Sequence, residues 1–431
     1  MLDIQLIRKS PETVQAALAK RGYTVDFTGF LAEDAERRAL IAETETLKAR
    51  RNQVSAEIPK MKKAGTDVTE TLAEMKTLSD TIKAADERLA ALDSEQKVFL
   101  AALPNLPADD VVAGGKENNA VIEVSGEKPV FDFEPRHHVD LAEQLGLIDY
   151  TRGAKLSGAG FWVYTGVGAR LEWALLNYFI ETHLSSGYEM MLVPHILNYT
   201  CGFTAGQFPK FKEDVYWLET PADQAESGSQ FILPTAETAL VNLHRDEILD
   251  AAELPKKYFA FTPCYRKEAG SYRSEERGMI RGHQFNKIEL FQYVLPEQSD
   301  EAFAEMVAQA ASLVRGLGLH FRVSKLAAGD CSASMGRTND IEVWIPSMND
   351  YKEVSSASNA YAYQARRGNM RFRRAGERQT AHLHTLNASG LATSRIFPAL
   401  LEQLQQADGS VLIPEALRRW MGGQERLEPV H

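Results

Sequence analysis

Two stretches carry side chains whose types and spacing suit a nucleotide. In YRKE, residues 265–268, Arg266 and Glu268 stand two apart, and in RGHQFNKIEL, residues 281–290, Arg281, Phe285 and Glu289 recur at even spacing. Side chains alternate across a strand. If the two stretches are the strands of one hairpin, Arg266 and Glu268 share a face, as do Arg281, Phe285 and Glu289, while Ile288 and Leu290 turn the other way into a core. A guanidinium suits phosphate oxygens, a flat ring suits a base, and a carboxylate accepts from an exocyclic amino group. A surface hairpin with its charges in water has the same alternation, so parity alone leaves both readings open.

The elements around these stretches set the fold class. KKYFAFTPCYRKEA, IRGHQFNKIELFQYV and DIEVWIP read as strands, and GARLEWALLNYFIETHLSSG reads as an amphipathic helix. Strands in a run with few helices between them predict an antiparallel sheet flanked by helices, an α+β domain. No G-x-G-x-x-G or Walker-type loop follows a strand, which disfavours Rossmann and P-loop sites.

Residues 34–103 are different. They are rich in Ala, Glu, Lys, Arg and Leu, with one turn-like break, KKAGTDV at residues 62–68. Leu40, Leu47, Val54 and Met61 recur every seven residues, as do Met75, Ile82 and Leu89, with Leu78, Ala85, Leu92 and Phe99 three places on. These heptad seams predict an antiparallel coiled-coil hairpin about 45 Å long. Pro59 should kink or end its first helix. By periodicity alone such a hairpin reads as an oligomerisation or spacer element, but Arg50, Arg51, Lys60, Lys62 and Lys63 gather toward the tip with only Glu57 against them, which favours a phosphate-contacting arm over a merely solvated tip. LPNLPADDVVAGGKENN, residues 103–119, has the composition of a linker. The expected division is therefore an arm over residues 1–103, a linker over 104–130 and a catalytic domain over 131–431.

With 431 residues, 44% of them hydrophobic, the chain can fill one large core and a smaller one. A formal net charge of -11 argues against indiscriminate nucleic-acid binding but permits a local basic patch. No apolar run approaches the roughly 20 residues that cross a bilayer, and no leader-like start is present, so a cytoplasmic protein is expected. Cys201, Cys264 and Cys331 are isolated, which points away from disulfides and zinc. His382 and His384 share strand parity, but no third ligand is apparent near them, and they read as structural.

The motifs in order resemble seryl-tRNA synthetases of class II. YRKE followed by Arg281-x-x-x-Phe285 is similar to motif 2. PTAET, EAGS, RGHQFNKIEL, EVSSASN, YQARR and HTLNASGLATSR, with MLDIQLIR, LPNLP and LGLIDYTRGAKLSG before them and RRWMGG after, extend the likeness over nearly the whole chain. The resemblance implies an enzyme that activates L-serine with ATP and Mg²⁺, then transfers the seryl group to serine tRNA, with selenocysteine tRNA as a further substrate. It places Arg266 at the α-phosphate, Glu268 at the adenine amino group, Phe285 on the base, Gly282 against ATP through its backbone, and Arg395 at the γ-phosphate. Lys267, Val354 and Ser355 fall within the matching ATP motifs. Glu353 and Ser356 match the ATP and metal ligands, and their i, i+3 spacing violates strand parity, so a bulge or a strand end is expected there. Thr235, Ala236, Glu237, Glu289 and Ser389 match the serine site. The loop SYRSEER, residues 271–277, would approach ATP or the tRNA end. The five basic residues of the arm would contact tRNA, and Pro194 matches the motif 1 proline of a homodimer interface.

Departures from the family's wording leave alternatives. Gly282 stands where a branched residue is common, which should loosen that wall. Ala357, Ala360, Ala362, Tyr363 and Ala388 also stray, and so does GDCSASMGRTNDIEVW; these would alter the serine pocket. A specialised paralogue that activates serine or an analogue for another pathway, or for inhibitor resistance, is one alternative. A non-enzymatic RNA-binding scaffold is another, against which Arg266, Glu268, Glu289, Glu353 and Arg395 count.

Overall fold

The computed structural model describes residues 1–219, 228–268 and 278–430. The chain divides into two compact units, Leu2–Ala16 with Tyr23–Leu103, and Met1 with Ala17–Gly22 and Pro104–His431.

The first unit is built on two long helices, α1 (Thr28–Lys63) and α2 (Thr69–Ala102). At 1.5 Å per residue α1 is about 54 Å long, longer than the spacing of the seam predicts. Val54, Ile82, Ala85 and Leu92 of the heptad seams are buried. Arg37–Asp93, Arg88–Glu36, Lys48–Asp86 and Arg50–Glu74 pair across the helices. Such surface pairs add little energy each, but together they fix register. At the base Phe30 stacks on Phe99 at 4.9 Å, and the buried Asp34 accepts from Arg8 at 2.7 and 2.6 Å. Pro59 neither ends nor shortens α1, which runs four residues past it. It sits in the exposed last turns, where losing one backbone bond costs least. Asp67 accepts from Thr69 N and so starts α2 after the turn.

The second unit is organised by an eight-stranded sheet. Its strands are β1 (Ala120–Ser125), β2 (Glu189–Met191), β3 (Lys256–Tyr265), β4 (Gln284–Val294), β5 (Phe321–Lys325), β6 (Arg337–Ile345), β7 (Asp350–Tyr361) and β8 (His384–Ala392). They lie in the order β1-β5-β6-β7-β8-β4-β3-β2, antiparallel except where β2 joins β3. The α+β expectation holds.

Alternation divides the sheet's two faces. Ile288, Leu290, Ile341, Val343, Val354 and Leu386 point to one face, where they pack with Phe179 of α3 (Gly166–Ser185), Phe303 of α4 (Ser299–Gly316) and Phe397 of α5 (Thr393–Gln403). Burying each of these side chains stabilises the fold by about 1.5–3 kcal/mol. Lys287, Glu289, Asp340, Glu342, Ser356 and Asn387 project from the other face and line a cavity.

Residues 104–130 are no detached linker. Asn105 donates to the carbonyls of Ser334 and Ala360, Val111 is buried, and β1 pairs with β5 at the sheet's edge. Pro, Gly and Asn mark turns, but they do not show whether the chain between turns is packed. The sequence-predicted hairpin is also shorter than expected. β3 ends at Tyr265 and β4 starts at Gln284, so Arg266, Glu268 and Arg281 lie beyond the strands and strand parity does not govern them.

Candidate active site

The cavity over the polar face of the sheet measures about 670 Å³. One end is lined by Thr235, Glu237, Lys287, Glu289, Asn387 and Ser389. Here Lys287 Nζ donates to Thr235 Oγ1 at 2.7 Å and pairs with Glu289, while Thr235 Oγ1 donates to Glu289 Oε2 at 3.1 Å. Asn387 Nδ2 donates to the other oxygen of Glu289 at 3.2 Å. Glu237 starts a short helix, Glu237–Leu240, and accepts from Gln364 Nε2 at 2.7 Å. Burial, then the charge of Glu289, push the Glu237 carboxyl up to about 7, against the pull of Gln364, Lys287 and Arg266. The recess holds two carboxylates and one ammonium group, and suits a small cation that brings hydroxyl or amine donors.

The other end is made by two arginines from different elements. Arg266, just past β3, lies 5.2 Å over the Phe285 ring and donates through Nε to Pro234 O at 3.2 Å. Arg395, in the first turn of α5, donates to Glu353 O at 2.7 Å and to Ile280 O at 3.3 Å. Arg281 lies 3.4 Å from Glu268. An adjoining recess of about 90 Å³ shares Arg266, Glu268, Lys287, Glu353 and Arg395 with the cavity and adds Gly282, Phe285 and Val354. Guanidinium groups aimed into one space beside an aromatic ring suit a phosphate chain that carries a base.

A third group is acidic. Asp340 and Glu342 of β6 and Glu353 and Ser356 of β7 line the cavity. Ser356 Oγ donates to Asp340 Oδ1 at 2.7 Å. Burial, followed by the charges of Glu353 and Glu342, drives the Asp340 carboxyl well above its ordinary range. Oxygen ligands of this kind fit a hard divalent cation, whose charge would favour the ionised form of a carboxyl that burial disfavours.

Of the two ways to meet the EVSS spacing, the strand uses a bulge and does not end there. Ile341 pairs with Ser355 but Glu342 pairs with Glu353, which leaves Val354 as the extra residue. Val354 turns into the core, while Glu353 and Ser356 both reach the cavity.

Arg266, Glu268, Thr235, Glu237, Glu289, Glu353, Ser356, Ser389 and Arg395 all meet in this one cavity, and Gly282, Phe285 and Val354 line its recess. Three sequence-predicted residues do not line it. Lys267 lies 5.8 Å over the Tyr216 ring, Ala236 is buried in a core cluster beside β3, and Ser355 donates to Ser389 O at 2.6 Å. The loop SYRSEER lies outside the described residues. Gly282 is not a bare spot either, because a Cβ there would meet Trp162 Cζ3 at 2.2 Å, so the indole already fills the space. Ala357 and Ala388 lie in the core behind the sheet and do not shape the pocket.

Arg50, Lys60, Lys62 and Lys63 are exposed on α1 and Arg51 is half-buried, but Arg50 pairs with Glu74 at 3.0 Å, so Glu57 is not the only acid opposing them. The pairing partner lies on the second helix, out of reach of a reading of the first.

Lys287, Asp340, Glu342 and Asn387 escaped the sequence reading. The alternation that groups Phe285 with Glu289 also contains Lys287, and D-I-E-V in β6 puts Asp340 and Glu342 on one face. Glu172 of α3 escaped it too. It is buried behind β4, accepts from Asn286 at 2.8 Å and Thr393 at 2.6 Å, and is lifted by burial to about 7. Among the described residues, His137, His138 and Glu402 form the one group of three metal-capable side chains whose ligand atoms all lie within 4.8 Å of one another. Glu402 there accepts from His138 N, Ser347 N and Ser347 Oγ, which marks it as a brace between segments.

Comparison with known proteins agrees with this geometry. Residues 216–404 match the tRNA synthetase class II core domain (G, H, P, S and T). The site and its antiparallel sheet thus define a class II aminoacyl-tRNA synthetase, an aminoacyl-tRNA ligase. Residues 1–107 match the seryl-tRNA synthetase N-terminal domain. Serine--tRNA ligase 2 of Clostridium acetobutylicum is 60% identical over 98% of this chain and 99% of its own. Serine--tRNA ligase of Desulforapulum autotrophicum is 44% identical over 99% of both. Among solved structures, seryl-tRNA synthetase from Pyrococcus horikoshii complexed with ATP superposes with a TM-score of 0.91 at 33% identity, covering both chains fully. Cytoplasmic serine-tRNA ligase from Naegleria fowleri in complex with AMP gives 0.87 at 26% identity, covering 100% of this chain and 99% of the other. The chain belongs to the seryl-tRNA synthetase family.

Proposed function

We propose that this chain activates L-serine with ATP to seryl-adenylate and transfers the seryl group to the 3′ end of serine tRNA, with selenocysteine tRNA as a second acceptor. The observation that carries this reading is one cavity in which a Thr235–Glu237–Glu289 recess adjoins a two-arginine pocket with an aromatic wall. Glu237 and Glu289 take the serine ammonium, and Ser389, with Asn387 beside it, faces the side chain. A carboxylate oxygen of serine forms a bond to the α-phosphorus, the bond to the bridging oxygen breaks, and pyrophosphate leaves with the electron pair.

Such a displacement needs positioning and charge stabilisation more than covalent chemistry. Arg266 holds the α-phosphate, Arg395 the γ-phosphate, and Phe285 and Glu268 the adenine. For Glu268 this means exchanging its contact with Arg281. Mg²⁺, held by Glu353 and Ser356 with Asp340 and Glu342 near, supplies charge neutralisation to the phosphates when bound. Alanine is rejected because the polar groups meant for the hydroxyl would be left unpaired.

Residues 1–103 act as the tRNA-binding domain, with Arg51, Lys60, Lys62 and Lys63 on phosphates and Arg50 sharing itself with Glu74. The enzyme works as a cytoplasmic homodimer. Exposed Met190, Leu192 and Ile196 around Pro194 support a partner surface there. No helix of the described residues is long and apolar enough to cross a membrane. Serine-dependent exchange of pyrophosphate into ATP, followed by charging of total tRNA, tests both half-reactions. Folded protein without exchange refutes the reading, and exchange without charging points to the specialised paralogue.

A further inference from the structure

Lys287 occupies the position that the serine-activation reading assigns to the substrate's ammonium group. Its Nζ donates to Thr235 Oγ1 at 2.7 Å and pairs with Glu289, and its side chain is 7% exposed. An incoming α-ammonium group has three donors and needs the same acceptors. Thr235 Oγ1 already gives its proton to Glu289 and accepts from Lys287, so the two cations compete for these acceptors, with Glu237 as the second carboxylate of the recess.

Lys287 has somewhere to go. It lines both the main cavity and the recess that contains Arg266, Phe285 and Arg395, and its four-carbon stem is flexible. It stands on β4 between Phe285 and Glu289, on the face where the amino acid and the phosphates meet.

A zwitterion brings both an ammonium group for the recess's two carboxylates and an anion for the lysine. When the substrate ammonium takes over Glu289, the displaced lysine is left with the substrate carboxylate as its partner, so each buried charge keeps an opposite. The carboxylate must then approach an α-phosphate that is also negative, and an ammonium group lying against both lowers that repulsion.

We infer that Lys287 is a catalytic residue of the adenylation step, exchanged from Thr235 and Glu289 onto the serine carboxylate and the α-phosphate when serine binds. This rests on the serine-activation reading above. Lys287 remains an ammonium group throughout. It gives up no proton, the carboxylate oxygen bonds to the α-phosphorus, and pyrophosphate departs with the electron pair of the broken bond.

The test compares wild-type enzyme with Lys287→Met and Lys287→Arg. Pyrophosphate exchange gives the kinetics, and calorimetry gives the binding of serine and of serinol, which keeps the ammonium and hydroxyl but has no carboxylate. Removing one electrostatic stabiliser of this kind costs about 10²–10³-fold in kcat. Lys287→Met should show that loss with the KM for ATP within about threefold, and Lys287→Arg should recover part of it. Serine should bind the Met variant more weakly and serinol more tightly. A kcat within about threefold of wild type, or serine and serinol weakened together as a structural role demands, overturns the inference.

If the Met variant does not fold, a crystal structure of wild-type enzyme with serine and a non-hydrolysable ATP analogue decides. Nζ is expected on the serine carboxylate, and Nζ still on Thr235 and Glu289 overturns the inference. Absence of exchange in wild-type enzyme refutes instead the serine-activation reading.

Discussion

Gly282→Ala measures how firmly the nucleotide recess is walled. The added Cβ would lie 2.2 Å from Trp162 Cζ3, 2.5 Å from Cη2 and 3.1 Å from Gly160 O. Carbon atoms in contact rest at about 3.5–4.0 Å, so the indole has to retreat by more than about 1 Å. It is not free to do so cheaply, because it packs on the core and meets Tyr164 edge-on at 6.3 Å. Overpacking of this kind costs about 1–3 kcal/mol. If the whole cost falls on the nucleotide site, the KM for ATP rises by about 5- to 150-fold, and if it falls on the fold, the melting temperature drops by several degrees. Exchange kinetics at varied ATP and a melting curve separate the two. Trp162→Ala in the same chain should relieve the clash, so the double variant should recover what the single one loses. A Gly282→Ala enzyme with unchanged KM for ATP and unchanged melting temperature would refute the reasoning.

The buried Glu172 makes stability depend on pH. Its carboxyl, about 7 in the folded chain against an ordinary 4.5, keeps a proton that the unfolded chain has released. Stability is therefore lost as pH rises from about 4.5 to about 7, by about 3 kcal/mol in all. Glu172→Gln, which mimics the protonated form and still accepts from Asn286 and Thr393, should be more stable than wild type in denaturant at pH 8 and no more stable at pH 4.5; equal differences at both would contradict this. On the arm, replacing Lys60, Lys62 and Lys63 together by Gln should raise the KM for tRNA about tenfold or more, flatten its salt dependence, and leave pyrophosphate exchange unchanged. A matching loss in exchange would place these lysines outside tRNA binding.

What could be read from the sequence followed periodicity. The heptad seam located Val54, Ile82 and Leu92 in the arm's core, and strand alternation set Ile288 and Leu290 against Phe285 and Glu289. Where the backbone leaves its regular period, as at Arg266, Glu268 and Arg281, alternation says nothing and only the family likeness led to the site. Partners distant in sequence were out of reach. Glu74 opposite Arg50, Trp162 behind Gly282 and Glu172 beneath Asn286 are brought there by the fold, and no local pattern marks them. Lys287 is a different kind of omission, since its parity was visible and its neighbours had already been singled out.

The bulge at Val354 has a consequence for how this strand tolerates change. A strand is a two-state code of inward and outward positions, and one surplus residue shifts the phase of everything after it. Upstream of the surplus residue Glu353 faces the cavity; downstream Ser356 and Ser358 do so and Ala357 faces the core. Deleting Val354 would make Glu353 and Ser356 next-but-one neighbours, which plain alternation keeps on the cavity face, so the ladder would close up and only an apolar core side chain would be lost, whereas deleting Ser356 instead would move Ala357 toward the cavity. Alignment of this strand is thus a matter of counting as much as of composition, and a gap misplaced by one position here would pair ligand residues with core residues.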